Sequence, residues 1–362
     1  MDYQTGEVRL PLPITYIGDT KNTLIRILVS LCIAGVAVWL SLSRGHPPKS
    51  AETKHSLIIP RYGMPAVAVG ECVYILGGSA ENGKVGDIER FNTVTGKVTL
   101  MKTKLLPRRY HTAEVDGDKI YITGGYGEDN QSNSRLEIYD TETDSISEGA
   151  PFPNPRYFVS SVMADGKMYI FGGSWLSPRG RISGKVDIYD VKTDKWTESA
   201  SMLRGRQTDV VEKDGLVYAI GGYDGKIALK NFEVYDIKKD RWSRLPDLPF
   251  EISAHHCVIL GNKIYSFGDY YELDRVWAYD FNSAQWDVIM SRGIHDVIQA
   301  RKSKFKIYQY QPGAIYLASR HNAVVKVGET VYIIGGNNST YGPCLDYIQS
   351  VTHENLLRAA RK

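Results

Sequence analysis

Short apolar stretches that end in two glycines decide the fold of this chain of 362 residues. Five complete copies recur along the sequence: VYILGG (73–78), IYITGG (120–125), MYIFGG (168–173), VYAIGG (217–222) and VYIIGG (331–336). A degenerate sixth copy, IYSFGD, occupies residues 264–269. The first glycines of successive copies are 47, 48, 49, 47 and 67 residues apart. Such a period, with strand-like runs in each unit, is typical of proteins built by stacking one small unit per repeat.

Further elements recur at fixed distances from each glycine pair. A second strand-like segment follows in five repeats: IERFN (88–92), LEIYD (136–140), VDIYD (186–190), FEVYD (232–236) and VWAYD (276–280). Seven residues after its aromatic residue the chain has Val98, Ile146, Trp196, Trp242 and Trp286 in turn. An arginine precedes most repeats: Arg61, Arg108 or Arg109, Arg156, Arg204 or Arg206, and Arg320.

These glycine pairs, Tyr-Asp segments, tryptophans and arginines resemble the kelch repeat over roughly residues 51–350. The resemblance implies an all-β, six-bladed kelch β-propeller, with four antiparallel strands per blade around a central channel. The residues independently favour stacked units, because one repeat cannot bury both faces of its own sheet. Turn residues such as Asp165-Gly166 separate the strand-like runs. We expect the glycines to end the strand beside the channel, and the Tyr and Trp to fill the space between blades.

The last repeat lacks a fourth strand, since no tryptophan segment follows CLDYIQSV (344–351). Residues 51–59 (AETKHSLII) stand immediately before Pro60 and Arg61, where a fourth strand belongs. We therefore predict that this N-terminal strand completes the sixth blade and closes the ring, which leaves no unpaired strand edge. For the C-terminal tail, residues 351–362, the prediction is a frayed helix.

An apolar, uncharged run, ILVSLCIAGVAVWLSL (27–42), precedes the repeats. With its neighbours it is long enough to cross a bilayer as a helix. The predicted organisation is a leader at 1–22, a transmembrane signal anchor at 23–43 and a linker at 44–50. A cleaved signal peptide is the alternative. The flanking charges give no clear orientation, and the short leader favours an extracytoplasmic propeller on a single-pass membrane protein.

Two sets of loops are expected to meet on the face of the propeller away from the membrane. The candidate ligand-binding residues are Arg61, Arg109, Arg156, Arg206 and Arg320 from one set, and Tyr126, Trp175, Tyr223, Tyr270 and Asn337 from the other. Guanidinium groups pair with carboxylates, and aromatic rings stack on sugars or side chains. The alternative for each arginine is a bracing role between neighbouring loops. An inserted basic and tyrosine-rich segment between Trp286 and Arg320 extends the same face.

Composition and motifs exclude several kinds of function. Lys plus Arg total 44 and Asp plus Glu 41, a balance that lacks the basic excess of nucleic-acid binders. The sequence has no zinc-type Cys/His spacing, no phosphate-binding glycine loop and no nucleophile elbow. We therefore predict no metal, no cofactor and no nucleic-acid partner. In His255-His256 we expect one packed and one exposed ring, because strand residues alternate between faces.

The sequence thus favours a membrane-anchored recognition platform that binds a protein or an acidic glycan, with the bilayer contacted through residues 23–43. The enzymatic alternative is a carbohydrate-active protein of the N-acetylneuraminate mutarotase type, since bacterial kelch propellers of that class have six blades. The short, even loops of this chain depart from that class. A purely architectural spacer is a third reading.

Overall fold

The structure is a computed structural model, and it describes residues 55–127, 133–175, 180–271, 275–290, 316, 319–337 and 344–360. The predicted leader, membrane helix and linker, and most of the inserted segment, lie outside these residues. Among the residues described, no helix is long and apolar enough to cross a membrane.

The chain enters with strand β1 (His55–Ser56) and then builds blades of four strands in sequence order. Blade 1 comprises β2 (Ala66–Val69), β3 (Cys72–Leu76), β6 (Asp87–Asn92) and β7 (Val98–Lys104), with a small hairpin of β4 (Ser79–Ala80) and β5 (Gly83–Lys84). Blade 2 comprises β8 (Arg109–Asp116), β9 (Lys119–Tyr126), β10 (Leu136–Asp140) and β11 (Ser145–Gly149). Blade 3 comprises β12 (Ser160–Ala164), β13 (Lys167–Phe171), β16 (Val186–Asp190) and β17 (Lys195–Ser199), with a hairpin of β14 (Ser174–Trp175) and β15 (Arg181–Ile182).

The second half of the ring repeats the plan. Blade 4 comprises β18 (Gln207–Lys213), β19 (Leu216–Tyr223), β20 (Phe232–Asp236) and β21 (Arg241–Arg244). Blade 5 comprises β22 (His256–Leu260), β23 (Lys263–Phe267), β24 (Arg275–Asp280) and β25 (Gln285–Met290). Blade 6 comprises β26 (Ala323–Val327), β27 (Thr330–Ile334), β28 (Tyr347–Thr352) and the N-terminal β1.

The first strand of each blade lies innermost, and these six strands pack against one another in a closed circle around the channel. The predicted six-bladed propeller is therefore confirmed. Strand β1 pairs antiparallel with β28, with His55 opposite Ile348 and Ser56 opposite Tyr347. The backbone N–H of Gly336 also donates to the carbonyl of Arg61, at 2.9 Å. The first and last blades are thus joined both by the expected strand and by a backbone hydrogen bond.

The glycine pairs lie at the end of the second strand of each blade, not of the innermost strand as the sequence suggested. There they allow close approach of the next blade: a Cβ atom on Gly172 would lie 2.2 Å from the carbonyl oxygen of Arg206. The second glycine then donates its N–H to the same carbonyl, as Gly173 does to Arg206 at 3.0 Å. In the five blades that have a Gly-Gly pair, this contact and the positive φ angles explain both glycines, and blade 5 has Gly268-Asp269 instead.

The apolar core lies between neighbouring blades, as the repeat argument requires. One cluster, for example, combines Leu76 and Ile88 of blade 1 with Ile120 and Tyr139 of blade 2. Polar ties reinforce three of these junctions. In each, an aspartate accepts one hydrogen bond from a tyrosine hydroxyl of its own blade and one from a backbone N–H of the preceding blade. The three sets are Asp144 with Tyr139 and Lys102, Asp194 with Tyr189 and Ala150, and Asp240 with Tyr235 and Ala200.

The C-terminal segment forms helix α1 (His353–Ala360), which packs against β25 and β28. Its Leu356 is fully buried with Ile289 of blade 5 and Val351 of blade 6. Asn355 donates its backbone N–H to the hydroxyl of Thr352 at 3.2 Å, a capping contact. The tail is helical as predicted, but it is docked on the junction of two blades.

Candidate functional site

A buried arginine stands at the start of each of the first four blades: Arg61, Arg108, Arg156 and Arg206 are all 0% exposed. Each donates to the carbonyl two residues before it and to the carbonyl of the first glycine of its blade. In blade 4 these acceptors are Arg204, at 3.0 Å, and Gly221, at 2.8 Å. Each also pairs with an acid of the third strand: Glu89, Glu137, Asp187 and Glu233 respectively.

These hydrogen bonds and ion pairs hold the guanidinium groups inside the blade. The placement of Arg61, Arg156 and Arg206 therefore corresponds to the bracing alternative for the arginines, and their burial removes them from the surface on which a ligand would land. The acid completes the brace, because Glu89 also accepts the backbone N–H groups of Ile58 and Ile59.

The last two blades replace both members of the pair together. Blade 5 has Ile252 and Trp277 at these positions, and blade 6 has Ser319 and Gln349. Trp277 stacks on Phe250 with ring centroids 3.3 Å apart. Removing one member of a buried ion pair leaves the other charge uncompensated, and blades 5 and 6 avoid this because both positions are uncharged.

In all six blades, the residue after the brace position pairs with the residue after the glycine pair, or after Gly268-Asp269 in blade 5. We call these twelve residues the loop face: Tyr62 with Ser79, Arg109 with Tyr126, Tyr157 with Ser174, Gln207 with Tyr223, Ser253 with Tyr270, and Arg320 with Asn337. Arg109 and Arg320 thus belong to a different register from the braces. Trp175 stands one residue beyond this set, in β14, with the Arg156 guanidinium 5.4 Å from its ring.

Arg109 is held in a cage of tyrosines. Its Nε donates to the Tyr126 hydroxyl at 2.7 Å, and its Nη1 donates to the Tyr62 hydroxyl. The guanidinium carbon lies 5.0 Å from the ring centres of both Tyr110 and Tyr126, and 5.5 Å from that of Tyr62. No carboxylate in the described part of the chain pairs with this half-buried cation. The cage fixes the guanidinium without neutralising it.

Arg320 is the second cation of the loop face and is only 6% exposed. Its guanidinium carbon lies 4.6 Å from the ring centre of Tyr270. Its Nε has no hydrogen-bond partner, and within the ranges described it forms no ion pair. Asn337, its backbone partner, is buried at 8% exposure.

The centre of the loop face is closed on one side by an aromatic cluster. Gly63, Tyr110, Phe158 and His321 each have a positive φ angle, and the first three are joined in a chain of backbone hydrogen bonds that begins at the carbonyl of His321. The rings of Tyr110 and Phe158 stack with centroids 3.8 Å apart, and His321 lies 5.3 Å from Tyr110. Burial, with help from Arg320, lowers the pKa of His321 to about 3.

Below the cluster the channel forms a cavity of about 760 Å³, lined by the six innermost strands. The residues that follow the glycine pair contribute to the lining, as far as the structure describes it, only in blades 4 and 5, through Tyr223 and through Tyr270 and Tyr271. Tyr271 is 66% exposed. The cavity therefore reaches the loop face beside these tyrosines. The aromatic cluster, with residues from blades 6, 1, 2 and 3, closes the other side.

Polar side chains link the innermost strands of blades 2 to 5. The Ser161 hydroxyl donates to Glu114 at 2.7 Å, and the Ser160 hydroxyl donates to Asp209 at 3.0 Å. Asp209 also accepts the backbone N–H of Cys257 at 2.6 Å. Withdrawal from water raises the pKa of Glu114 to about 7. Burial acts in the same sense on Asp209, but its hydrogen bonds and the nearby histidines outweigh it, so its pKa is lowered.

The His255-His256 pair behaves as strand alternation predicts. His255 is buried, and burial lowers its pKa to about 4. The His256 side chain is 39% exposed, with its Nδ1 3.6 Å from Asp209 Oδ1. Across the residues that the structure describes, no three His, Cys, Asp or Glu side chains are grouped to hold a metal ion.

Sequence reasoning missed Tyr62, Tyr110, Phe158 and His321. The useful signal was the distance to the glycine pair: Arg61, Arg108 and Arg156 stand 16 residues before the first glycine, and so does Ser319. This distance along the chain distinguishes Arg320 from the buried arginines of blades 1 to 3. Blade 4 obscures it, because Arg206 stands 15 residues before Gly221 and a strand irregularity follows at Gln207.

The fold and loop face define a propeller whose repeats place paired loops around one end of a central channel. Residues 63–268 match the family model described as the KLHDC2/KLHL20/DRC7 Kelch-repeats domain. The chain belongs to the kelch-repeat family, as the sequence motifs predicted.

Curated relatives share this repeat at modest identity. Kelch-like protein terF of Aspergillus terreus is 29% identical over 203 residues, which is 50% of this chain and 44% of that protein. Kelch-like protein 25 of Xenopus tropicalis is 27% identical over 259 residues, 68% of this chain and 44% of that protein. Spermatocyte protein spe-26 of Caenorhabditis elegans is 28% identical over 235 residues, 61% and 40% respectively. The matched region is thus less than half of each relative.

Proposed function

We propose that this chain is a kelch-repeat protein-binding platform whose loop face captures an acidic segment of a protein partner. Arg109 in its tyrosine cage is the anchor, and Arg320, which is only 6% exposed, adds positive charge to the face. The observation that carries the proposal is the half-buried Arg109 guanidinium, which is held by tyrosine hydroxyls and has no carboxylate partner among the described residues.

Physical chemistry supports an anionic ligand for such a group. A guanidinium has five N–H donors, and the two tyrosine hydroxyls do not use them all. Carboxylates accept those donors in charge-assisted hydrogen bonds, which are stronger than neutral ones. The cage also removes the cost of ordering a long side chain on binding, because the side chain is already fixed. Tyr157 and Trp175 extend the surface with rings that a peptide can stack on.

The experiment is a selection from a random peptide library on the purified full chain, followed by affinity measurements on the enriched peptides. We expect enrichment of Asp and Glu, and at least a roughly tenfold loss of affinity in Arg109→Gln. Arg241→Gln removes the same charge from the exposed outer strand of blade 4 and should bind like the parent. Equal affinity of the parent and Arg109→Gln would contradict the proposal.

An acidic glycan is the alternative ligand of the same face, since a sugar carboxylate has the same charge and geometry as an aspartate. Sialyllactose added as a competitor separates the two. Failure to displace the peptide at millimolar concentration favours the protein partner, and displacement favours the glycan. Faster exchange of N-acetylneuraminate anomers than in buffer would favour the enzymatic alternative.

We also propose that residues 23–43 tether the propeller to a membrane. The support is the apolar run at 27–42 and its length. Protease treatment of sealed vesicles of known sidedness tests the tether and its orientation together. Digestion of the propeller only from the extracytoplasmic side is the expected result, and recovery of the whole chain in the soluble fraction would overturn the tether.

A further inference from the structure

The central cavity is a second candidate site, separate from the Arg109 cage. It reaches the loop face beside Tyr223, Tyr270 and Tyr271 of blades 4 and 5. Arg109 lies in blade 2, beyond the cluster of Tyr110 and Phe158 that closes the other side. A ligand group that enters the cavity therefore passes three tyrosines. Arg109 is not among the lining residues, and of its cage only Tyr110 also lines the cavity.

The cavity wall is amphipathic. On the side of blades 6, 1 and 2 the lining includes the small apolar residues Ala66, Ala68, Ala113, Ala323 and Val325, together with Glu114 and Lys326. On the side of blades 3 to 5 it is lined by Ser160, Ser161, Thr208, Asp209 and His256. A ligand that fits both sides has an apolar stem and a polar end.

Asp209 is the charged group of the polar side nearest the opening. Gln207, which pairs with Tyr223 on the loop face, precedes it by two residues, a rise of about 7 Å along a strand. Its carboxylate offers about four acceptor positions. Ser160 and the N–H of Cys257 use two of them, and His256 Nδ1 lies 3.6 Å from Oδ1. The carboxylate is 13% exposed in its side chain, so it is open to the cavity.

We propose that this cavity accepts a lysine or arginine side chain of the bound partner, with its stem along the alanine side and its charged end on Asp209. The stems of these residues have three or four methylene groups and bury readily on apolar surface while the charged end finds a polar partner. The three tyrosines at the opening suit a passing cation, because aromatic faces attract positive charge. The partner segment then carries an acidic group for Arg109 and a basic group for Asp209.

This inference rests on the proposed function only in assigning the cation to a protein partner. The cavity can be tested without any partner. The probe is the blocked tripeptide acetyl-Gly-Arg-Gly-amide, and its matched control replaces arginine by citrulline, which has the same shape without the charge. Binding to the full chain is measured by calorimetry at pH 8.

We expect the arginine peptide to bind at least roughly tenfold more tightly than the citrulline peptide. The difference should vanish in Asp209→Asn and persist in Asp214→Asn, which removes a carboxylate from the exposed turn after the same strand. Equal affinity of the two peptides for the parent chain would overturn the site, and this comparison does not depend on how the variants fold. A preference that survives Asp209→Asn would overturn the role of Asp209.

Agmatine distinguishes a protein side chain from a free amine of the same chemistry. Weaker binding of agmatine than of the arginine peptide supports the assignment to a partner segment, and tighter binding would overturn that assignment. Loss of acidic enrichment in the library selection, with the arginine preference intact, would contradict the proposed anchor at Arg109 and leave the cavity site standing.

Discussion

The four buried arginines show how one side chain fixes the start of a blade. Each guanidinium joins the loop before the blade, the first glycine of the second strand and an acid of the third strand. Removing only one charge leaves the other buried and uncompensated, which is costly. Blades 5 and 6 avoid that cost because both positions changed together.

Substitution of one brace tests this interpretation. Arg206→Met should lower the free energy of unfolding by about 3–5 kcal/mol, because Glu233 remains buried without its partner. Arg206→Met combined with Glu233→Leu should recover at least half of that loss. Urea unfolding provides the measurement, and a double variant as unstable as the single one would argue against the pairing.

Glu114 should give the stability a pH dependence of its own. Its pKa is about 7 in the folded chain, against an ordinary value of 4.5, so the folded state holds the proton over this interval. The stabilising contribution is complete below about pH 4.5 and is lost as the pH rises through 7. Glu114→Gln should therefore gain stability relative to the parent between these pH values, by on the order of 2–3 kcal/mol.

Unfolding of both chains at pH 4.5 and pH 8 measures this gain. Glu142→Gln, in an exposed turn, controls for the exchange of Glu for Gln. A stability difference between Glu114→Gln and the parent that is the same at both pH values would refute the assignment.

At the scale of elements, the hydrogen bonds of the tyrosine–aspartate pairs join the outer parts of blades 1 to 4. Among the residues that the structure describes, no such pair joins blade 4 to blade 5. Blade 5 has Ala284 where blades 2 to 4 have aspartate. The reason lies in blade 4. Pro246 stands where Ala150 and Ala200 donate their N–H groups, four residues after the matching Ile146 and Trp196, and proline has no N–H.

A double-mutant cycle tests this explanation. Asp240→Ala should lower the free energy of unfolding by about 1–3 kcal/mol, because it removes the acceptor for Ala200 and Tyr235.

Ala284→Asp alone should bring no gain in stability. Combined with Pro246→Ala it should show a favourable coupling of about 1 kcal/mol, and zero coupling would contradict the account.

Helix α1 covers the junction of blades 5 and 6, where the structure shows no such tie among the residues it describes. Leu356→Ala should lower the unfolding free energy by about 2–5 kcal/mol, because its side chain is fully buried between the blades. Leu357, 36% exposed on the same helix, is the matched control and should cost much less. Equal effects at the two positions would mean that the helix does not anchor the junction.

At the scale of the whole molecule, the repeat predicted the number of blades and the closing strand. Both follow from counting units and from the missing fourth strand after CLDYIQSV. It was harder to predict which loop arginines are buried braces and which belong to the loop face. Arg108 and Arg109 are adjacent in the sequence, and only the distance to Gly124 distinguishes the two roles.

The cluster above the channel was not predictable in the same way. Tyr110, Phe158 and His321 adopt positive φ angles, which are uncommon for residues other than glycine. The backbone hydrogen bonds between neighbouring loops hold them there, and such bonds leave no pattern in the sequence. The position of the cavity opening at blades 4 and 5 depends on where that cluster ends, so it could not be predicted from the sequence either.

The central claim is that a protein partner binds the loop face, and photo-crosslinking maps that contact directly. A peptide enriched in the library selection would carry a benzophenone group next to its acidic residues, and the crosslinked chain would be digested and sequenced by mass spectrometry. The account predicts crosslinks at Tyr62, Tyr126 and Tyr157, around the Arg109 cage. Crosslinks at the turns on the opposite face, such as Gly117-Asp118 and Asp165-Gly166, or on the outer strands, would contradict it.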